Sequence, residues 1–373
     1  MARAFGIVNS SGNHIWVEGM QDYRPIGAFS FLGRYRVVDF PLSNMSNSGI
    51  DRIQVYIRRK PRSMTEHIGS GRHYNINSKR GKVQILFSEN QSENSIYNTD
   101  IAAFLENIES IEKMHEEYVV IAPNYMVYTM NYNQLLENHI ESGADITLLY
   151  HSVDNAKEAF LNSDILNLNR QKGVLSIEKN RGTAKSKHIF MDTYVMKKDL
   201  FIDLIKKAKA ISSMYTLAQI VNSSIDDLDV RGVAHRGYFA AITTLENYYE
   251  ANLALIDFKN AGTLFNEDWP IYTRTNDSCP THYFEDADVK TSVVSNGCMI
   301  QGTVENSIIF RKTFIGSNCT IKNSIILNDV YIADNTYIEN CIVESHGTIK
   351  ANSYHKGENG IEIVFEDGER YQM

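Results

Sequence analysis

VENSII at residues 304–309 returns 17 residues later as IKNSII (321–326), and after another 17 as IENCIV (338–343). Isoleucines in the same region recur at six-residue steps, from Ile315 to Ile321 and from Ile332 to Ile338. Hexads of this kind, flanked by glycine, asparagine and serine, are typical of a parallel β-helix. Stacked coils bury a column of aliphatic side chains that a single coil could not bury. The repeats therefore predict a parallel β-helix with these four isoleucines pointing inward.

The residues before the repeats alternate short β-branched runs with stretches of helical spacing. Runs with the composition of strands lie at 53–57, 118–121 and 146–150. Apolar residues at helical spacing lie at 101–114 and 132–142. This alternation is typical of a mostly parallel sheet with helices on both faces. The first part of the chain is therefore predicted to be an α/β domain.

The change of pattern also gives domain boundaries. We expect the α/β domain to occupy residues 1–258 and the β-helix to occupy residues 290–373. Between them, residues 259–289 include Trp269-Pro270 and Cys279-Pro280 in a stretch without regular spacing. Such a stretch is typical of a linker.

Composition restricts the compartment and the class of partner. The net charge is −8, with 45 acidic and 37 basic residues interspersed along the chain. This balance argues against binding to nucleic acid or to a membrane surface. No apolar run approaches the roughly 18 residues of a membrane span, and the N-terminus lacks the pattern of a signal peptide. The four cysteines lie far apart, and we expect reduced thiols in a cytoplasmic protein.

Hexad β-helices also occur in acyltransferases, which use a histidine base at a coil interface. The histidines within or just beyond the repeats are His346 and His355, and both lie near the end of the chain. We therefore interpret the β-helix as a scaffold for assembly and for communication with the first domain.

A longer segment, GRYRVVDFPLSN at residues 33–44 continued by NSGI at 47–50, carries a family resemblance. It resembles G-K-[FY]-R-[IV]-I-D-F-[AP]-L-S-N…N-S-G-I of ADP-glucose pyrophosphorylase (glucose-1-phosphate adenylyltransferase). Further segments match that family in the same order: HIG (67–69), EYVV (117–120), TLENYYEAN (244–252) and WPI (269–271). The resemblance spans essentially the whole chain. It implies a nucleotidyltransferase-like domain (Rossmann-like, GT-A type) followed by a left-handed β-helix.

The family's reaction joins ATP and glucose 1-phosphate into ADP-glucose and releases pyrophosphate. This chemistry depends mainly on positioning and on charge neutralisation. A glycine-rich loop after the first strand cradles the triphosphate, because only glycine lets backbone amides approach so closely. Here the loop reads NSSGNH (9–14) with no arginine following, so the resemblance implies a loop unsuited to a triphosphate.

The resemblance also locates two positions that hold metal-binding aspartates in the family. Asn124 stands at the aspartate of A-G-D-H, and Ala241 stands at the aspartate of R-D-V-G-T-L. Mg²⁺ prefers anionic oxygen ligands, which an amide and a methyl group do not supply. We therefore expect no catalytic residues in this chain, with Asn124 and Ala241 as degenerate positions, and no bound metal or other cofactor.

Four residues match substrate-binding positions of the family and are interpreted as remnants. Glu178 and Lys179 lie in the counterpart of V-E-K-P, whose lysine contacts the sugar phosphate. Arg24 stands near the lysine of A-K-P, and Thr99 lies in the altered counterpart of the G-T-A substrate loop. An ordinary solvated charge remains the alternative for Lys179.

Three basic residues correspond by motif to positions that line a regulator-anion site in the family, between the two domains. They are Arg36, His67 and Lys312. Basic groups from two domains could clamp a phosphate through charge-assisted hydrogen bonds. The alternative for Arg36 is a simple pairing with the nearby Asp39.

These features resemble the non-catalytic, GlgD-type regulatory subunit of the family, which accompanies a catalytic chain in glycogen synthesis. The resemblance implies homo-oligomers of this chain alone, hetero-oligomers with a catalytic glucose-1-phosphate adenylyltransferase subunit, and a sugar-phosphate effector. Two alternatives stay open. One is an active sugar-phosphate nucleotidyltransferase with unusual ligands, and the other is a stand-alone sensor of sugar phosphates or related effectors.

Overall fold

A computed structural model of the chain describes residues 4–10, 15–77, 79, 81–88, 95–358 and 360–364. It contains an α/β domain followed by a left-handed parallel β-helix, as the sequence and the family resemblance predict. The last residues of the predicted β-helix, 365–373, lie outside the described part of the chain.

The α/β domain is built on one large mixed sheet and two small ones. The strands described before the β-helix are β1 (Ala4–Asn9), β2 (Ser30–Phe31), β3 (Tyr35–Arg36), β4 (Arg52–Ile57), β5 (Lys82–Phe87), β6 (Tyr118–Pro123), β7 (Met126–Tyr128), β8 (Ile146–Val153), β9 (Asp164–Leu168), β10 (Val174–Lys179), β11 (Lys187–Lys197), β12 (Val230–His235) and β13 (Phe239–Ala241).

The large sheet is parallel on one side and mixed on the other. Strands β5, β4, β1 and β6 run parallel in that order, and β11 lies antiparallel to β6. Along its other edge β11 pairs with β8, which in turn pairs with β12, while the start of β11 meets β9 and β9 meets β10. The expected parallel pairing therefore holds for the strands around β1 and for the β8–β12 pair, while β11, β9 and β10 pair antiparallel. Because β1 is buried over its whole length, its sequence is apolar rather than alternating.

Helices cover the faces of this sheet. The α-helices described are α1 (Asp39–Asn47), α2 (Arg62–Ile68), α3 (Asp100–Glu106), α4 (Ile108–Glu112), α5 (Tyr132–Ser142), α6 (Lys198–Ile211), α7 (Leu217–Asn222), α8 (Leu245–Ala254) and α9 (Phe258–Leu264). Short 3₁₀ turns lie at Ile26–Ala28, Arg72–Tyr74 and Ser95–Tyr97. Among the residues described, no helix is both long enough and apolar enough to cross a membrane.

The β-helix consists of successive coils of three short strands each. Its strands are β14 (His282–Tyr283), β15 (Asp288–Lys290), β16 (Val293–Val294), β17 (Met299–Ile300), β18 (Thr303–Glu305), β19 (Ile308–Ile309), β20 (Phe314–Ile315), β21 (Thr320–Lys322), β22 (Ile325–Ile326), β23 (Tyr331–Ile332), β24 (Tyr337–Glu339), β25 (Cys341–Val343), β26 (Thr348–Ile349), β27 (Tyr354–Lys356) and β28 (Glu362–Val364). Every third strand pairs in parallel, so the coils form three five-stranded sheets within the described residues.

The repeated residues have the roles that their spacing predicts. Ile315, Ile321, Ile332 and Ile338 are all fully buried inside the coils, which confirms the predicted inward column. The repeated asparagines, such as Asn323 (φ 45°), lie at coil corners in the left-handed region of backbone space. Asparagine tolerates that conformation better than most residues with a side chain.

The β-helix starts earlier than expected. His282 and Tyr283 in β14 already pair with β17, so the first coil begins before residue 290. The stretch interpreted as a linker, 259–289, therefore contains most of α9 and the start of the first coil. The irregular chain between these two elements is shorter than the predicted linker.

One outer face of the β-helix holds the two domains together. The outward side chains of its third sheet, Ile308, Ile325 and Ile342, belong to the same buried cluster as the core beneath α1 and α8. Full burial of an isoleucine side chain stabilises a fold by about 2 kcal/mol. This apolar contact fixes the cavity that lies beside it.

Candidate functional site

A cavity of about 830 Å³ lies between the α/β domain and the β-helix and is called the interdomain cavity here. Its walls come from the β2–β3 region and α2 on one side, and from turns of the β-helix on the other. Its basic lining residues are Arg24, Arg34, Arg36, His67, Arg274, Arg311, Lys312 and His346. Its acidic lining residues are Glu66, Asp329 and Glu344.

The six arginine and lysine side chains of this cavity outnumber its three carboxylates. Arg24 pairs with Glu344 across the domain boundary. Among the described residues, no carboxylate lies within ion-pair distance of the other five arginine and lysine cations: Arg34, Arg36, Arg274, Arg311 and Lys312. Burial lowers the pKa of Arg311, and the charge of Arg34 lowers it further. A bound anion would relieve this repulsion.

Arg36 faces the interdomain cavity, and its main chain and side chain have different partners. Its backbone N–H donates to Asp39 Oδ2 at 2.8 Å, while its guanidinium donates to the carbonyl of Ser63 at 2.9 Å. Burial lowers the pKa of Arg36, and the charge of Asp39 partly opposes that effect. The guanidinium is therefore anchored by a neutral carbonyl and keeps its charge for the cavity.

His67 lines the same cavity but is already engaged. Its Nε2 lies 2.6 Å from Asp39 Oδ1, which also accepts a hydrogen bond of 2.6 Å from Tyr74. Burial alone would raise the pKa of Asp39, but the charge and hydrogen bond of His67 outweigh it, so this pKa lies below its usual range. His67 thus holds Asp39 as a carboxylate, and Asp39 holds the backbone of Arg36.

Lys312 projects from an exposed β-helix turn at the rim of the cavity. The structure therefore brings Arg36, His67 and Lys312 to one place, between the two domains. It adds Arg24, which motif matching had grouped with the substrate remnants. Arg34 lies within the quoted segment 33–44, and Arg311 directly precedes Lys312, so the same motif match could have found both.

Asn124 and Ala241 lie at the carboxyl edge of the sheet, next to each other in the fold. Asn124 follows β6 and donates its backbone N–H to Asn9 O of β1 at 2.9 Å. Ala241 lies opposite Met126 in the β13–β7 pair. Met126 follows Asn124 by two residues along the chain. Both are buried, with exposed fractions of 2% and 5%.

This edge also contains polar atoms without partners. Asn9 Oδ1, Ser10 Oγ and Asn124 Oδ1 are buried and make no hydrogen bond to any residue that the structure describes. Residues 11–14, the rest of the loop that stands where the family's triphosphate cradle lies and that we expect not to suit a triphosphate, lie outside the described residues. The unpartnered buried oxygens at this edge therefore belong to two amides and a hydroxyl, which are neutral groups.

A second cavity of about 270 Å³, called the edge cavity, opens beside these positions. Asp164 and Asp192 line it, together with Tyr125. Asp192 accepts hydrogen bonds from Tyr125 at 3.2 Å and Tyr194 at 3.0 Å, and burial raises its pKa to about 7. It lies in a bulge of β11 with a left-handed φ of 46°, a backbone strain of the kind that clusters at ligand sites.

The chain matches known proteins along most of its length. A family profile described as "Nucleotidyl transferase" matches residues 23–257, and one described as "GlmU-like, C-terminal hexapeptide" matches residues 281–361. Glucose-1-phosphate adenylyltransferase of Halalkalibacterium halodurans is 31% identical over 296 residues, which are 78% of this chain and 76% of that protein. The enzyme of the same name from Clostridium botulinum strain Alaska E43 is 34% identical over 302 residues, which are 78% and 76% of the two chains.

The chain belongs to the glucose-1-phosphate adenylyltransferase family of nucleotidyl transferases. A third member, from Clostridium novyi, is 30% identical over 295 residues, with 78% of this chain and 77% of that protein covered. Family membership accounts for the order of the two domains, whose matched segments fall on the sheet domain and on the coils.

The family resemblance implies a bound Mg²⁺ ion, but the residues of this chain do not supply ligands that suit it. At the two positions that the family resemblance assigns to the metal, the side chains are the Asn124 amide and the Ala241 methyl group. In the part of the chain described, no three His, Cys, Asp or Glu residues lie close enough to hold a metal. Mg²⁺ needs oxygen ligands with charge, and neutral amide and hydroxyl oxygens compensate it poorly.

The other three residues that match substrate positions of glucose-1-phosphate adenylyltransferase, Lys179, Glu178 and Thr99, each interact with residues of this chain. Lys179 forms an ion pair of 2.9 Å with Asp164 of the edge cavity. Glu178 is exposed and accepts a hydrogen bond from Ser176 at 2.8 Å. Thr99 is buried and caps α3 by accepting from the N–H of Ala102 at 3.2 Å. Helix capping by threonine is an ordinary structural role.

Proposed function

We propose that this chain is a catalytically inactive, regulatory subunit of a glucose-1-phosphate adenylyltransferase complex in glycogen synthesis. The observation that carries the proposal is a contrast between two sites. The sheet edge offers the buried neutral groups of Asn124 and Ala241 where the reaction needs carboxylates. The interdomain cavity, in contrast, concentrates cations that suit a small anion.

The chemical argument concerns charge at the sheet edge. Nucleotidyl transfer needs the negative charge of the triphosphate to be neutralised as the bond to pyrophosphate breaks. Loss of one such electrostatic contact lowers a rate by about 10²–10³-fold. Two carboxylates are missing here, and Asp192 adds a negative charge to the neighbouring edge cavity above its pKa of about 7. An added charge of that sign repels a phosphate.

The regulatory argument concerns the interdomain cavity. Its uncompensated cations come from both domains, so an anion bound there contacts the sheet domain and the β-helix together. We propose a sugar phosphate as the effector, held by Arg36 and Lys312. His67 positions Arg36 through Asp39.

Assembly is the third part of the proposal. We propose that the chain forms homo-oligomers alone and hetero-oligomers with a catalytic homologue. An apolar column on the outer face of the β-helix supports this, because Met299 and Tyr331 are each 46% exposed and Phe314 stacks on Tyr331 at 4.8 Å. A large exposed apolar patch is typical of a protein interface. Sedimentation of the chain, alone and mixed with the homologue, tests this point, and monomers in both cases would contradict it.

The decisive experiment is an activity assay of the purified chain. With ATP, glucose 1-phosphate and Mg²⁺ it should form no ADP-glucose. The paired substitutions Asn124→Asp and Ala241→Asp should not restore activity, because the loop at residues 9–14 still lacks the glycine-rich sequence. Mixed with a catalytic homologue, the chain should change the partner's rate or effector response. Turnover by the chain alone, abolished by Lys179→Ala, would show that it is an active nucleotidyltransferase instead.

A second experiment tests the effector site. Arg36→Ala and Lys312→Ala should each weaken the effector response of the mixed enzyme while its basal rate stays nearly unchanged. Lys322→Ala is the matched control, because Lys322 lies on another face of the β-helix and pairs with Glu305 at 3.3 Å. If both cavity variants respond like wild type, the anion binds elsewhere.

A further inference from the structure

Glu344 is an unusual member of the interdomain cavity. It directly follows β25 and is only 2% exposed, although its side chain is a carboxylate. Its Oε1 accepts hydrogen bonds from the guanidinium of Arg24 and from the N–H of Ser345, the latter at 2.7 Å. Its Oε2 is buried without a hydrogen bond to any described residue. A half-satisfied buried carboxylate destabilises a fold and requires an explanation.

The position of Glu344 supplies that explanation. It belongs to the β-helix wall of the cavity, and Arg24 belongs to the opposite wall. Their contact joins residues 320 positions apart in the chain and crosses the domain boundary. Among the described residues, no carboxylate lies within ion-pair distance of the five other arginine and lysine cations of the cavity. Glu344 is therefore an internal anion placed in a site that otherwise suits an external one.

We propose that Glu344 competes with the effector anion for Arg24 and so sets the affinity of the interdomain cavity. This inference rests on the proposed anion site. Arg24 donates to Glu344 through Nη2, and a phosphate is also an anionic oxygen acceptor, so the two compete for that donor and for the charge of the guanidinium. The negative charge of Glu344 also repels a phosphate in the same cavity.

The competition has a structural consequence. An anion that takes Arg24 releases Glu344, and with it an ion pair that joins the α/β domain to the β-helix. Occupancy of the cavity and the contact between the domains are thus coupled through one guanidinium. By reciprocity, removal of the ion pair must strengthen anion binding.

The test is calorimetric titration of the purified chain with inorganic phosphate and with pyrophosphate at low ionic strength. Glu344→Gln removes the charge but keeps the size of the side chain, and it should tighten binding of both probes about tenfold, the effect of one charge-assisted hydrogen bond. Glu305→Gln is the control. It removes one charge from an exposed β-helix position outside the cavity lining. The Glu305→Gln variant should therefore bind both probes with the affinity of the wild type.

Each outcome decides the matter. If wild type binds the probes and Glu344→Gln binds with equal or lower affinity, Glu344 does not compete, and the inference fails while the anion site stands. If no protein binds either probe, the proposed anion site fails as well. Should Glu344→Gln fold poorly, Glu344→Asp keeps the charge but withdraws it by one methylene, and binding about threefold tighter is then expected. An affinity for Glu344→Asp equal to that of wild type would overturn the competition.

Discussion

Replacing Gly33 by alanine tests how tightly the two domains are joined beside the interdomain cavity. Gly33 forms the turn between β2 and β3 with a φ of 74°, in the left-handed region. Its carbonyl accepts a hydrogen bond of 2.6 Å from Ser295 Oγ of the β-helix. A Cβ at this position would lie 2.6 Å from that same oxygen. The added methyl group would therefore displace Ser295 and break a hydrogen bond between the domains.

The magnitude follows from two contributions. A residue with a side chain in the left-handed region costs about 1–2 kcal/mol relative to glycine. Loss of the Ser295 hydrogen bond adds about 1 kcal/mol. Gly49→Ala is the matched control, because Gly49 has a φ of 73° but no heavy atom within 4 Å of the place that a Cβ would occupy. We expect Gly33→Ala to lower the free energy of unfolding by about 2–3 kcal/mol and Gly49→Ala by about 1–2 kcal/mol.

Urea unfolding of the two variants and the wild type measures this difference. Tryptophan and tyrosine fluorescence should report it as a lower midpoint for Gly33→Ala than for Gly49→Ala. Equal destabilisation by the two substitutions would show that Ser295 turns away at no cost. The hydrogen bond between Ser295 and Gly33 would then contribute nothing to the domain contact.

Three further predictions concern stability. Ile321→Ala should lower the free energy of unfolding by about 3 kcal/mol in chemical denaturation, because Ile321 is fully buried in the column, while Lys322→Ala should change it little. Burial raises the pKa of Asp192 to about 7, so the folded protein holds this proton and its stability should fall as pH rises from about 4 to about 7. Asp192→Asn should remove this pH dependence, and an unchanged pH dependence of the urea midpoint would contradict the prediction. Burial lowers the pKa of His235 to about 4, so the stability of the wild type should fall as pH falls from about 6.5 to about 4. His235→Asn should remove this loss, which a pH series of thermal melts measures.

The β-helix could be predicted in detail because each coil repeats the same physical requirement. An isoleucine such as Ile321 must fill the interior, and an asparagine such as Asn323 must adopt a left-handed corner. The start of the β-helix could not be predicted in this way. The first coil, with His282 in β14, lacks the repeated isoleucines, as terminal repeats commonly do. The antiparallel direction of β11 could not be predicted either, because strand composition does not encode orientation.

The candidate sites were predictable only where a motif carried them. Arg36, His67 and Lys312 were found by resemblance, and the structure brings them to one cavity. The partnership of Arg24 with Glu344 joins two distant parts of the chain, so no local pattern reveals it. Asp192 owes its raised pKa to burial within a bulge of β11, and a bulge leaves no sign in hydrophobic periodicity.

Apart from Arg24, which pairs with Glu344, the cations of the interdomain cavity do not account for the contact between the domains. Apolar packing of Ile308, Ile325 and Ile342 supplies that contact, and hydrogen bonds such as that from Ser295 to Gly33 align it. Among the arginine and lysine side chains of the cavity, only Arg24 lies within ion-pair distance of a carboxylate in the described part of the chain. The cavity histidines, His67 and His346, lie near Asp39 and Asp329. Like charges held together in a half-buried space repel one another and destabilise the fold. A bound anion would turn this repulsion into attraction, which is why we assign the cavity to a ligand and the apolar face to assembly of the two domains.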